Sequence, residues 1–87
     1  MRDILSLLDA GNKAQLEKLK ENEHKKGFDD CNLEYVDFRL SEEIDEYKDE
    51  MCKKNKDYSA IIKELADIAN FCHMGILTCD SIIKENR

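Results

Sequence analysis

The segment from Tyr58 to about Lys84 is apolar in two directions at once, and this restricts the fold more than any other feature of the chain. At about 100° per residue, Ile61, Leu65, Ile68, Cys72 and Cys79 share one stripe, while Phe71, Met74 and Leu77 point along a second. One partner helix cannot cover both, so the segment belongs inside a bundle. With no Pro and only three Gly in 87 residues, and with Lys, Glu, Leu and Ala abundant, the expected class is all-α.

Three helices are expected within a single domain, 1–87. Helix 1 spans about 2–24, carries Ile4, Leu5, Leu7 and Leu8 on a short apolar stripe, and is kinked or broken near Gly11-Asn12. Helix 2 follows Asn32 and runs over about 33–53, with Glu34 favourably placed in its first turn and Val36, Leu40, Ile44, Tyr47 and Met51 on its apolar face. The polar run Lys53-Lys54-Asn55-Lys56-Asp57 makes a turn whose lysines complement the carbonyl end of helix 2 and whose Asp57 caps helix 3, about 58–84. A domain this small buries only about 60–65% of the surface its unfolded chain exposes. The expected architecture is therefore an antiparallel helical hairpin plus an N-terminal helix, completing a four-helix-type bundle by homo-oligomerisation.

The formal charge of −6 and pI near 4.9 disfavour a nucleic-acid polymer or an anionic membrane as partner. A small nucleotide delivered with Mg²⁺ is a different case, because the metal neutralises phosphate charge locally. No apolar stretch approaches the roughly 20 residues that span a bilayer. Cys31, Cys52, Cys72 and Cys79 form no CxxC pair, and no signal peptide is recognisable, so reduced thiols and a cytoplasmic location are expected.

Two acidic pairs stand out against this background: Glu43 with Glu46, and Glu64 with Asp67, each spaced i,i+3 on one helix face. On the helix 2 wheel Glu43 falls roughly 20° from Val36, among the core residues, while Glu46 and Glu50 border that stripe and Glu42 lies farther towards the polar side. Asp67 falls between Phe71 and Met74, and Glu64 flanks the stripe of Ile61, Leu65 and Ile68. Burying ionised carboxylates costs several kcal/mol each unless cations compensate. Hard cations such as Mg²⁺ take oxygen ligands, so two such pairs on facing helices would form a metal box suited to polyphosphates.

These residues carry a family resemblance. Glu42-Glu43-x-x-Glu46, followed after seventeen residues by Glu64-x-x-Asp67, resembles the signature of the MazG-like all-α nucleoside triphosphate pyrophosphohydrolases. The stretches ENEHKKGFDDCNLEYVDFRLSEEIDEYKDE and ELADIANFCHMGIL extend the resemblance to about residues 14–80. The resemblance implies Mg²⁺-dependent hydrolysis of a nucleoside or deoxynucleoside triphosphate between the α and β phosphates, with Mn²⁺ as a substitute metal, in a homodimer or dimer of dimers. It further implies that Glu43, Glu46, Glu64 and Asp67 are metal ligands, that Glu42 supports them or orients the water, and that the role is nucleotide-pool cleansing. Lys26-Gly27-Phe28 stands where the family pattern has Gly-Gly and Trp, a departure that bears on base stacking.

Other residues are open to two readings. Lys25 and Lys26 are candidate phosphate contacts or solvated loop lysines, and Phe28 is a candidate for stacking on a base. Arg39, four residues before Glu43, either orients that carboxylate or touches substrate. Asn70, one i,i+3 step beyond Asp67, either reaches the sugar or base or bonds a neighbouring helix. His24 and His73 lack an arrangement for nucleophilic catalysis. A catalytically silent dimeric helical adaptor or regulatory module is the alternative to an enzyme.

Overall fold

Asp3, Asn32 and Asp57 each place a side-chain oxygen where the first turn of a helix has unpaired N–H groups. In the computed structural model, which describes residues 3–21 and 32–86, Asp3 Oδ1 accepts from the Ser6 N–H (2.8 Å), Asn32 Oδ1 from Tyr35 (2.8 Å) and Asp57 Oδ1 from Ala60 (3.2 Å). Such a cap contributes about 1 kcal/mol. The helices that follow are α1 (Ile4–Glu21), α2 (Leu33–Cys52) and α3 (Tyr58–Glu85), and the described residues contain no strand. Helix boundaries at α2 and α3 fall within a residue of expectation, and α1 starts two residues late because Asp3 caps it. Lys25, Lys26 and Phe28 lie outside the described residues, as do His24 and Cys31.

The break expected at Gly11-Asn12 does not occur, and α1 is continuous there. No atom lies within 4 Å of the place a Gly11 Cβ would take. The glycine therefore weakens helix propensity by about 1 kcal/mol without disturbing packing, which a helix extending well beyond it on both sides tolerates.

The contacts fix the topology. Val36 of α2 lies against Gly75 of α3, Arg39 over Phe71, and Glu43 beside Glu64 and Asp67, so the two helices run antiparallel from their short connecting turn. A Cβ at Gly75 would stand 3.4 Å from Val36 Cγ1, in van der Waals contact, which marks how closely the two helices pack there. Gln15 meets Asn70 and Lys18 meets Asp67, so α1 is also antiparallel to α3 and lies along it. α3 is the central element, in contact with both others.

The chain is elongated, 49 × 30 × 24 Å, and thinly cored. Val36, Ile61 and Ala66 are the buried apolar residues among those described, and α1 buries none. The chain exposes 7050 Å², against about 5,300 Å² for a compact monomer of its mass. Leu65, Cys72, Leu77 and Cys79 of the two α3 stripes remain exposed. No described helix is long and apolar enough to cross a membrane.

Candidate metal centre

Antiparallel pairing sets the middle of α2 opposite the first half of α3, and there the acids meet. Glu43, Glu64 and Asp67 each offer a carboxylate oxygen within 4.8 Å of the others. Glu43 is the most buried of them, at 4% exposure, as its place on the Val36 stripe requires. Glu46 is exposed and stands outside this tight set, yet it is close enough to act electrically on both Glu43 and Glu64. Three of the four expected ligands are thus brought together, with the fourth at their edge.

Cations meet this charge from two sides, and incompletely. Arg39 donates through Nη1 to Glu42 Oε1 and through Nη2 to Glu43 Oε1, both at 2.9 Å, with its guanidinium 5.2 Å from the centre of the Phe71 ring. The orienting role weighed for Arg39 is the one the geometry supplies. From α1, Lys18 Nζ lies 3.3 Å from Asp67 Oδ2 and 3.4 Å from Glu21 Oε2. Neither cation reaches Glu43 Oε2 or Glu64 Oε2, which are buried without a hydrogen-bond partner among the described residues. Buried carboxylate oxygens left unpaired are costly.

The electrostatics follow from this shortage of positive charge. Burial, then the close approach of the Glu46 carboxyl and the charges of Asp67 and Glu46, push the Glu43 carboxyl up to about 7, with Arg39 opposing. Burial and Glu46 likewise raise Glu64. Burial raises Asp67 even though Lys18 pulls it down. Partial burial disfavours the Lys18 ammonium, but Asp67 and Glu21 outweigh that and hold it above the usual lysine value. An all-oxygen donor set with orphaned oxygens and proton affinities raised together fits a hard divalent cation.

Asn70, buried at 5% exposure, takes the second of its two readings. Its Nδ2 donates to the Gln15 carbonyl (3.2 Å) and its Oδ1 accepts from Gln15 Nε2 (3.1 Å), so it ties α1 to α3. Gln15 Nε2 also lies 3.1 Å from His73 Nδ1, giving that histidine a partner within the bundle. Lys18 is the site residue that sequence reasoning missed. Its signal was Gln15 and Lys18 at i,i+3, matched in reverse order by Asp67 and Asn70 on α3, which becomes informative only once the facing helices are known. Glu50 also has a buried unpartnered oxygen, Oε1, while its Oε2 holds Lys53 at 2.7 Å.

Compared with known proteins, the chain matches no family model, no curated sequence and no solved structure.

Proposed function

We propose that this chain is a Mg²⁺-dependent hydrolase that cleaves (deoxy)nucleoside triphosphates to monophosphate and pyrophosphate, working as a homodimer or dimer of dimers. The observation that carries the reading is the convergence of Glu43, Glu64 and Asp67 from two helices, with buried oxygens of Glu43 and Glu64 that have no hydrogen-bond partner among the described residues. The choice of a nucleoside triphosphate, of the α-β bond and of a nucleotide-pool cleansing role rests on the resemblance of Glu42-Glu43-x-x-Glu46 and Glu64-x-x-Asp67 to the MazG-like signature. Glu43, Glu64 and Asp67, with Glu46 closing from the rim, would hold Mg²⁺ or its substitute Mn²⁺. When bound, the ion supplies neutralisation of phosphate charge and polarisation of the phosphoryl group.

The chain's own residues do the positioning. Arg39 fixes Glu42 and Glu43 side by side, so the buried carboxylate faces the cluster and the half-exposed one is free to orient a water. Hydrolysis adds that water across the α-β anhydride, and no covalent intermediate on the protein is needed. Dimer formation is supported by the excess exposed surface, about 1,700 Å² per chain above the compact-monomer scaling, roughly twice the 800 Å² that one partner contributes to a standard interface.

A second reading, a catalytically silent dimeric adaptor, draws on the exposed Ile4, Leu5, Ile76 and Leu77. Incubation with a panel of NTPs and dNTPs plus Mg²⁺, read by phosphorus NMR, separates the two. Monophosphate with pyrophosphate is the expected result. Diphosphate with orthophosphate would mean a different bond is cut, and absence of turnover across the panel would favour the adaptor.

A further inference from the structure

Gln15 and Lys18 join α1 to α3 by polar contacts. None of the residues of α1 is buried, and Ile4, Leu5 and Leu7 are 74%, 73% and 66% exposed. Against α3 it places Gln15, bonded to Asn70 and His73, and Lys18, paired with Asp67. The Lys18 and Asp67 side chains are only 18% and 16% exposed, so this pair is better shielded from solvent than the other ion pairs between lysines and acids in the described residues. Its acid is also one of the three that converge within 4.8 Å.

We propose that Lys18 is a resident cation of the acidic cluster, which pins α1 to α3 through Asp67 while the cluster holds no divalent ion and is displaced when one binds. The inference rests on the metal reading above. Asp67 offers one carboxylate, and a divalent ion bound to it would stand close to the Lys18 ammonium inside a partly dehydrated pocket, where like charges repel with little screening. The orphaned Glu43 Oε2 and Glu64 Oε2 give the divalent ion ligands that Lys18 does not reach, so the two cations compete for Asp67 rather than for the whole cluster. Linkage makes the effect reciprocal: by whatever factor Lys18 weakens cation binding, cation binding weakens the hold on α1.

The test uses the full chain and Mg²⁺ itself. Calorimetric titration of wild type and Lys18→Gln at fixed pH and salt should show the variant binding Mg²⁺ more tightly, by a factor in the usual range for coupled sites, about 5–150-fold. In parallel, saturating Mg²⁺ should speed amide hydrogen exchange over residues 14–21 of wild type while slowing it over 43–46 and 64–67. The exchange experiment needs no variant and decides the matter if Lys18→Gln does not fold. Equal or weaker binding by Lys18→Gln, or slower exchange in α1 on Mg²⁺ addition, would overturn the proposal while leaving the metal reading intact. Failure of both proteins to bind Mg²⁺ would overturn both.

Discussion

Near their connecting turn α2 and α3 converge on Glu43, Glu64 and Asp67, whereas a few turns farther along the same two helices converge on Val36, Leu40, Phe71 and Ile76. Among the described residues, the first region has more carboxylates than cations. The second is an open groove of about 570 Å³ lined by Leu33, Val36, Leu40, Phe71, Ile76 and Ile83, and it has too much apolar surface for the chain that covers it. Burial creates the strain in the acidic half, and exposure creates it in the apolar half. The comparison teaches that one hairpin can be left incomplete in two chemically distinct ways, each naming what would complete it: a cation at one end, an apolar partner surface at the other.

The largest effect that could break this contrast is on turnover. Glu43→Gln keeps the shape of the side chain and an oxygen for Arg39 but removes the charge that a metal needs. Activity should fall by at least about a hundredfold, as several kcal/mol of transition-state charge stabilisation implies. The cation-free variant should melt at the same temperature as wild type or higher, because desolvation and like-charge repulsion are relieved. Marked unfolding would instead make Glu43 a structural acid and remove the distinction between the two halves.

At the apolar end the corresponding change is Ile76→Glu. Ile76 is 66% exposed in the protomer, so the substitution leaves the isolated chain's packing alone. An unpaired carboxylate trapped in an interface costs about 3–5 kcal/mol, two to three or more powers of ten in dissociation constant. If wild type is the proposed dimer, light scattering coupled to gel filtration should therefore find it dimeric and the variant monomeric. An unchanged oligomer would place the interface elsewhere.

How far each half was legible in the sequence differs for the same physical reason. Glu43 could be placed among core residues by helical periodicity alone, because its position relative to Val36 is a local property of one helix. The same logic located both hairpin caps, Asn32 and Asp57, and the register of Asp67. Lys18 could not be found that way, since its partner is on another helix and nothing local specifies which faces meet. The continuity of α1 was misread because Gly11-Asn12 signals a break, while the outcome depends on the helix formers on either side. Exposure of Leu65 and Leu77 was hidden too: an apolar stripe looks alike whether its cover comes from the same chain or from another.

The pH dependence of stability offers a smaller and more specific probe of the acidic half. At pH below about 4.5, the ordinary value, Glu43 is protonated in folded and unfolded chains and contributes no difference. Between 4.5 and about 7 the folded state keeps a proton that the unfolded state has lost, so the cation-free protein should lose stability as pH rises through this window and level off above it. The loss is on the order of 3 kcal/mol from Glu43, with Glu64 and Asp67 acting in the same direction. Urea titrations at stepped pH should show the decline in wild type and a shallower one in Glu43→Gln. Saturating Mg²⁺ should remove most of it, since the metal binds the deprotonated carboxylates.

Gly11→Ala gives the smallest effect and serves to separate α1's own stability from its attachment. With open space around the missing Cβ and a helical backbone, alanine should stabilise α1 by about 0.5–1 kcal/mol through helix propensity and a less disordered unfolded chain. Because Gly11 touches neither the acids nor the groove, turnover and oligomeric state should stay as in wild type. Hydrogen exchange should slow in the first half of α1 and change less around Lys18, where the helix is also tied to α3 through Asp67. If the whole of α1 and the acidic cluster tightened together, the N-terminal helix would have to be counted as part of the site's framework, and the two-ended description of the hairpin would need a third term.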